Sequence, residues 1–173
     1  NIDYDSYNAG AKYISYLLTP ATVCLAVPLY EQVELLKKNA KAIFAGILSG
    51  VLTSILCVLA GCAIFGLSHE QYVTLLPKSI TTAIGMGVSE ELGGIVTITV
   101  AVIIITGVFG NMMAEFVCKV FRIQEPVAKG IAIGSAAHAV GTAKAIEGAM
   151  SSLSIAVAGL MTVVAAPLFA GIL

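Results

Sequence analysis

The sequence predicts an all-α polytopic membrane protein with broken, re-entrant helices arranged as an inverted internal repeat, an architecture shared by many secondary transporters. Three observations carry this. Only 11% of the 173 residues are charged, against roughly 25% in an average soluble domain, and the mean hydropathy is +0.98. Three stretches hold no charged residue at all: 42–66 across 25 positions, 95–114 across 20 and 148–173 across 26. A helix needs about 20 apolar residues to cross the hydrocarbon core, so each run is long enough. Finally, polar and small residues interrupt the apolar pattern at two places that resemble each other.

Taken in order, the chain opens on polar NIDYDSYNAG without an initiator Met. The expectation is either a fragment, with further spans missing upstream, or a processed product. Residues 12–36 are long enough to cross, but Pro20 and Pro28 interrupt them. Proline removes a backbone donor and collides with the preceding turn, so this span is expected to kink or split. Thr19 and Pro20 read as an N-cap and first helical residue of a new half-helix.

Lys37, Lys38 and Lys41 follow at once, and the positive-inside rule makes that end cytoplasmic. The run 42–66 then leads outward to SHEQY at 68–72. Lys119, Arg122 and Lys129 close the run that starts at 95, and they too should lie inside. Both clusters share a side only if residues 73–94 enter from outside and return as a re-entrant hairpin. The same reasoning makes 126–148 a hairpin entering from inside, followed by a last outward span. The chain thus forms one transmembrane domain over 1–173 with repeat units of about 73–118 and 126–173.

A shift of 56 positions tests that symmetry. It lays SITTAIGMGVSEE (79–91) on SAAHAVGTAKAIE (135–147) and aligns Ser79 with Ser135, Ala83 with Ala139, Gly85 with Gly141 and Glu91 with Glu147. Irregular backbone at membrane depth is tolerated where protein or a water-filled cavity surrounds it. The second half of a broken helix also begins with unpaired N–H groups and the positive end of a dipole, which suits an anion. Ser79, Thr81 and Thr82 cluster at the first break, and Ser135, His138, Gly141 and Thr142 at the second. Close helix packing is the alternative for each hydroxyl taken singly. An ionisable group inside a membrane is costly, so His138 reads as functional, either binding a carboxylate or relaying a proton.

Lys144 and Glu147 share a helical face, where either a mutual ion pair or substrate contact is open. Glu90 and Glu91 close the first segment; Glu90, Lys144 and Glu147 are the candidates for ion coupling or pairing, and Glu115 is expected to pair with Lys119. The four cysteines (24, 57, 62 and 118) show no CxxC spacing, so neither a metal site nor a disulfide framework is expected. Nucleophile elbow, Walker loop, dinucleotide fingerprint and HExxH are all missing from the sequence. We expect no enzyme, no cofactor and, without a basic patch, no nucleic-acid partner.

LTPATVCLAVPLYEQ (18–32), LLPKSITTAIGMGVSEELGG (75–94) and GIAIGSAAHAVGTAKAIEG (130–148) resemble signature segments of the LrgB/CidB membrane protein family. The resemblance covers the chain from about residue 13 onward. It implies a bacterial cytoplasmic-membrane protein that modulates murein hydrolase activity and autolysis with a small holin-like partner of the LrgA/CidA type. Plastid relatives are similar to glycolate/glycerate translocators, and some bacterial members are linked to pyruvate movement, which implies a small monocarboxylate as substrate. It also places Thr22 with Pro20 and Pro28 at a broken helix, and Ser79, Thr81, Thr82, Glu90, His138, Gly141 and Thr142 in the matching motifs. Ala83 departs from the pattern, where a proline is expected. The reading from sequence is therefore secondary transport of a small monocarboxylate, with the holin/antiholin-like role as the alternative and homo-oligomerisation open in either case.

Overall fold

A computed structural model describes residues 3–17, 20, 27, 30, 33–137 and 145–173. Within these residues the chain forms seven helices and no strand: α1 (Tyr4–Ser15), α2 (Val33–Phe65), α3 (His69–Leu75), α4 (Thr82–Glu91), α5 (Val96–Val120), α6 (Pro126–Ala137) and α7 (Ala145–Ala170). Three segments are long and apolar enough to cross a bilayer, namely Lys37–Phe65, Val96–Val120 and Met150–Ala170. Each overlaps one of the three uncharged runs, the first two extending past it into charged residues. At 1.5 Å per residue, the 33 residues of α2 extend about 50 Å, well beyond a hydrocarbon core of about 30 Å. Lys37, Lys38 and Lys41 can therefore lie beyond the apolar layer while remaining helical.

Glycine ends the first span. Gly66 takes a left-handed φ of 62°, and the Leu67 N–H donates to the Cys62 carbonyl at 3.0 Å, the hydrogen bond of a Schellman cap. Ser68 then starts α3 with a reciprocal capping box. Its Oγ accepts from the Gln71 N–H at 3.3 Å, and its own N–H donates to Gln71 Oε1 at 3.0 Å. Such a box satisfies two of a helix's orphan donors.

α3 is only seven residues long. Pro77 follows it, fully buried, and has no N–H to continue the ladder. The chain turns through Leu76–Thr81 and re-enters helix at Thr82. The Gly94 N–H donates to the Ser89 carbonyl at 2.7 Å around Gly93, whose φ is 79°, so α4 also ends in a Schellman cap.

A buried hydroxyl cluster fastens the two short helices to the next span. Thr99 Oγ1 of α5 donates to the Thr74 carbonyl at 2.9 Å and lies 2.7 Å from Ser89 Oγ. The Ile95 N–H donates to Thr74 Oγ1 at 2.8 Å. These contacts bring the end of α4 back beside the end of α3, so α3, the break and α4 form a hairpin. Such hydrogen bonds between membrane helices average about 0.6 kcal/mol each by double-mutant cycles. At the far end of the chain, the Tyr72 hydroxyl of α3 donates to the Phe169 carbonyl at 3.0 Å, one of the last α7 carbonyls, which also accepts from the Ile172 N–H at 3.1 Å in the closing turn.

The second segment departs from the first. Residues 145–170 are one continuous helix with Pro167 inside it, so Glu147 lies within α7 and no turn separates a hairpin ending at 148 from the last span. The physical reason is in the alignment. Gly93 and Gly94, which build the cap after Glu91, correspond to Ala149 and Met150, which lack glycine's access to left-handed φ. Glu115 and Lys119 are both exposed, and the ion pair found among the described residues is instead Lys37 with Glu34 at 3.3 Å.

α6 packs along α7, and both touch α2. The core runs from Ile43, Ile47, Val51 and Ile55 of α2 to Met150, Ala158 and Ala166 of α7. α5 is the least covered span, with Ile105, Phe109, Met112 and Phe116 at 60% exposure or more. In a bilayer this apolar stripe faces outward from the bundle.

Candidate functional site

One face of α2 is left open to a cleft of about 830 Å³. Asn39, Gly46, Gly50, Ser54 and Cys57 mark that face, at the three- and four-residue spacing that aligns side chains along a helix. From Asn39 to Cys57 the stripe runs about 27 Å at 1.5 Å per residue. Residues 127–136 of α6 supply the opposite wall, and Lys78 and Ser79 of the hairpin break supply the inner end. Asn39 and Glu125 both line the outer part, so the basic clusters at 37–41 and 119–129 lie at the same end of the bundle.

Small residues create the space. A Cβ on Gly46 would lie 3.3 Å from Ile131 Cγ2, and one on Gly50 would lie 2.8 Å from Ser135 Oγ. α6 therefore approaches α2 where α2 has no side chain. Ser135 is 7% exposed, and its hydroxyl turns back to the Ala132 carbonyl at 3.3 Å.

The depth of the break follows from one hydrogen bond. Ser79 Oγ lies 2.8 Å from Ser54 Oγ, and Ser54 is the midpoint of the uncharged run 42–66. Lys78 Nζ donates to the same Ser79 Oγ at 3.0 Å. A half-buried lysine thus stands at the middle of the apolar layer. Among the described residues it has no carboxylate within 4.0 Å.

The sequence-based site residues separate accordingly. Ser79 and Ser135, counterparts under the shift of 56, both line the cleft. Thr81 caps α4 without a side-chain hydrogen bond, and Thr82 begins that helix. Both are half-buried, but neither lines the cleft. Glu90 is exposed at the end of α4, away from the lining. Thr22, His138, Gly141, Thr142 and Lys144 lie outside the described residues, and Glu147 is described in its backbone only.

Lys78 is the residue that sequence reading overlooked. The rule that singles out His138, an ionisable group inside an apolar layer, applies equally to the lysine of LLPKSI. The glycine and hydroxyl stripe of α2 was also readable from its helical spacing. Cys57 lines the same cleft as a free thiol, whereas Cys62 and Cys118 are buried. No cluster of three or more metal-ligating side chains occurs among the described residues.

The LrgB-like family model matches residues 1–172. The chain belongs to this family. It is 41% identical over 171 residues to the holin-like protein CidB of Staphylococcus aureus strain Mu50, covering 96% of this chain and 75% of that protein. To the antiholin-like protein LrgB of Bacillus cereus strain B4264 it is 39% identical over 174 residues, covering 98% of this chain and 76% of that one. No solved structure matches. With three helices able to span a bilayer and bacterial relatives of this kind, this LrgB-like protein is a multi-pass bacterial membrane protein. Neither relative is named as an enzyme.

Proposed function

We propose that this chain acts as a holin/antiholin-like modulator of murein hydrolase activity and autolysis, working in the cytoplasmic membrane with a small LrgA/CidA-type partner. The likeness to CidB and LrgB across nearly the whole chain carries this reading. The fold accords with it, because α5 offers a long apolar face that lipid or a partner helix can cover. The test is lysis of cells that lack their own pair and express this protein with and without the partner.

A second reading, transport of a small monocarboxylate of the pyruvate or glycolate class, is favoured by the cleft. A modulator acting through packing faces alone has little use for a cleft of about 830 Å³ that reaches mid-depth and holds a lysine and serines there. An inverted repeat over about 73–118 and 126–173 would supply the moving halves for alternating access, with Ser79 and Ser135 as symmetry-related contacts. Uptake of labelled pyruvate, glycolate and lactate into proteoliposomes tests it; absence of uptake with every substrate, alone and with the partner, overturns it.

A further inference from the structure

We propose that Lys78 is the fixed positive charge of a binding site for a small monovalent carboxylate, located at the inner end of the cleft between α2, α6 and the hairpin break. The inference deepens the transport reading by naming the group that would hold its substrate.

The argument starts from cost. An ammonium removed from bulk water is expensive unless it is paired, and at membrane depth such groups face a cavity or a counter-charge. Lys78 has three N–H donors, of which Ser79 Oγ accepts one. No described carboxylate reaches it. Two donors remain beyond that bond, and an anion entering the cleft would accept from them.

The surroundings select its class. Ser54 and Ser79 bring a hydrogen-bonded hydroxyl pair to the same cleft, and the one of their two protons not used between them can donate to a carboxylate oxygen. Ile43, Ile131, Ala132 and Ala136 give the walls an apolar character that suits a short alkyl or acyl tail. One lysine balances one negative charge, and no second cation of the described residues lines the cleft. A monocarboxylate therefore fits better than a dicarboxylate.

Cys57 gives a readout inside the site's own cleft. In purified full-length protein in nanodiscs, alkylation of Cys57 by N-ethylmaleimide is followed by peptide mass spectrometry. Acetate, pyruvate or lactate should slow it in the wild type and in Lys78→Arg, while the uncharged amides of the same acids should not. Lys78→Gln should raise the half-protecting concentration about tenfold or more, the loss of one charge-assisted contact. An unchanged alkylation rate without ligand shows that the cleft of that variant is intact. Equal protection of Lys78→Gln and wild type overturns the proposal, as does protection by the amides or no protection by any acid. Chloride protecting as well as the acids overturns the carboxylate assignment. Protection by the acids without uptake in proteoliposomes leaves the site standing and removes the transport reading, so the two failures are distinct.

Discussion

Ser54 of the first span and Ser79 of the hairpin break share a hydrogen bond of 2.8 Å at the midpoint of an uncharged membrane run. It ties the turn of the hairpin to the wall of the cleft and fixes how deep the turn lies. Ser79 is buried and also accepts from Lys78 Nζ at 3.0 Å, so the pair and the lysine form one polar group at that depth.

Removing one partner tests that tie. Ser54→Ala should lower stability in detergent by about 1 kcal/mol, the net value of one such bond, because Ser79 keeps Lys78 as a donor. Thermal unfolding of the purified protein measures it, and an unchanged midpoint would show that the bond does not hold the hairpin.

The contact of α6 with α7 depends on a residue without a side chain. A Cβ on Gly134 would lie 2.8 Å from both Ser151 Cα and Ser154 Cβ. Backbone cannot move aside as a flexible side chain can, so Gly134→Ala should destabilise by about 1–3 kcal/mol. Gly61→Ala, with open space around it, is the control and should cost nothing measurable.

Arg122 takes a left-handed φ of 55°, and around it the Ile123 N–H donates to the Cys118 carbonyl at 2.8 Å. This is the cap made with glycine at Gly66 and Gly93, here with a side chain in place. Arg122→Gly should relieve about 1 kcal/mol of backbone strain, seen as a raised unfolding midpoint. A lowered midpoint would mean that the arginine side chain contributes more than the strain costs.

The cleft opens at the end of the bundle that carries both basic clusters. A membrane-impermeant maleimide should therefore modify Cys57 in inside-out vesicles and spare it in right-side-out ones. Labelling from the opposite face would reverse the orientation drawn from the lysines.

The spans were legible because a run without charges that exceeds the bilayer thickness has few other uses. The hairpin was legible from charge, since Lys119 and Arg122 could join Lys37, Lys38 and Lys41 on one side only if residues 73–94 turned back. Its point of turning was less so. The family pattern expects its proline at Ala83, whereas Pro77 follows α3 six residues earlier. The match of 79–91 to 135–147 concealed a difference as well, because a helix stops at Gly93 and continues through Ala149. Lys78 escaped because a lysine beside a proline reads as a solvated turn until the turn is known to lie at mid-depth. That depth depends on the contact between Ser54 and Ser79, 25 residues apart, which no local pattern reports.

The most direct test of the proposed role is the rate of detergent-induced lysis in bacterial cells deleted for their own LrgAB- and CidAB-type genes. The full-length protein is expressed alone, together with an LrgA/CidA-type partner, or not at all. We predict that joint expression shifts the lysis rate severalfold from that of the empty strain, and that neither protein alone does so to the same extent. Identical lysis curves in all strains, with both proteins verified in the membrane, would contradict the modulator role.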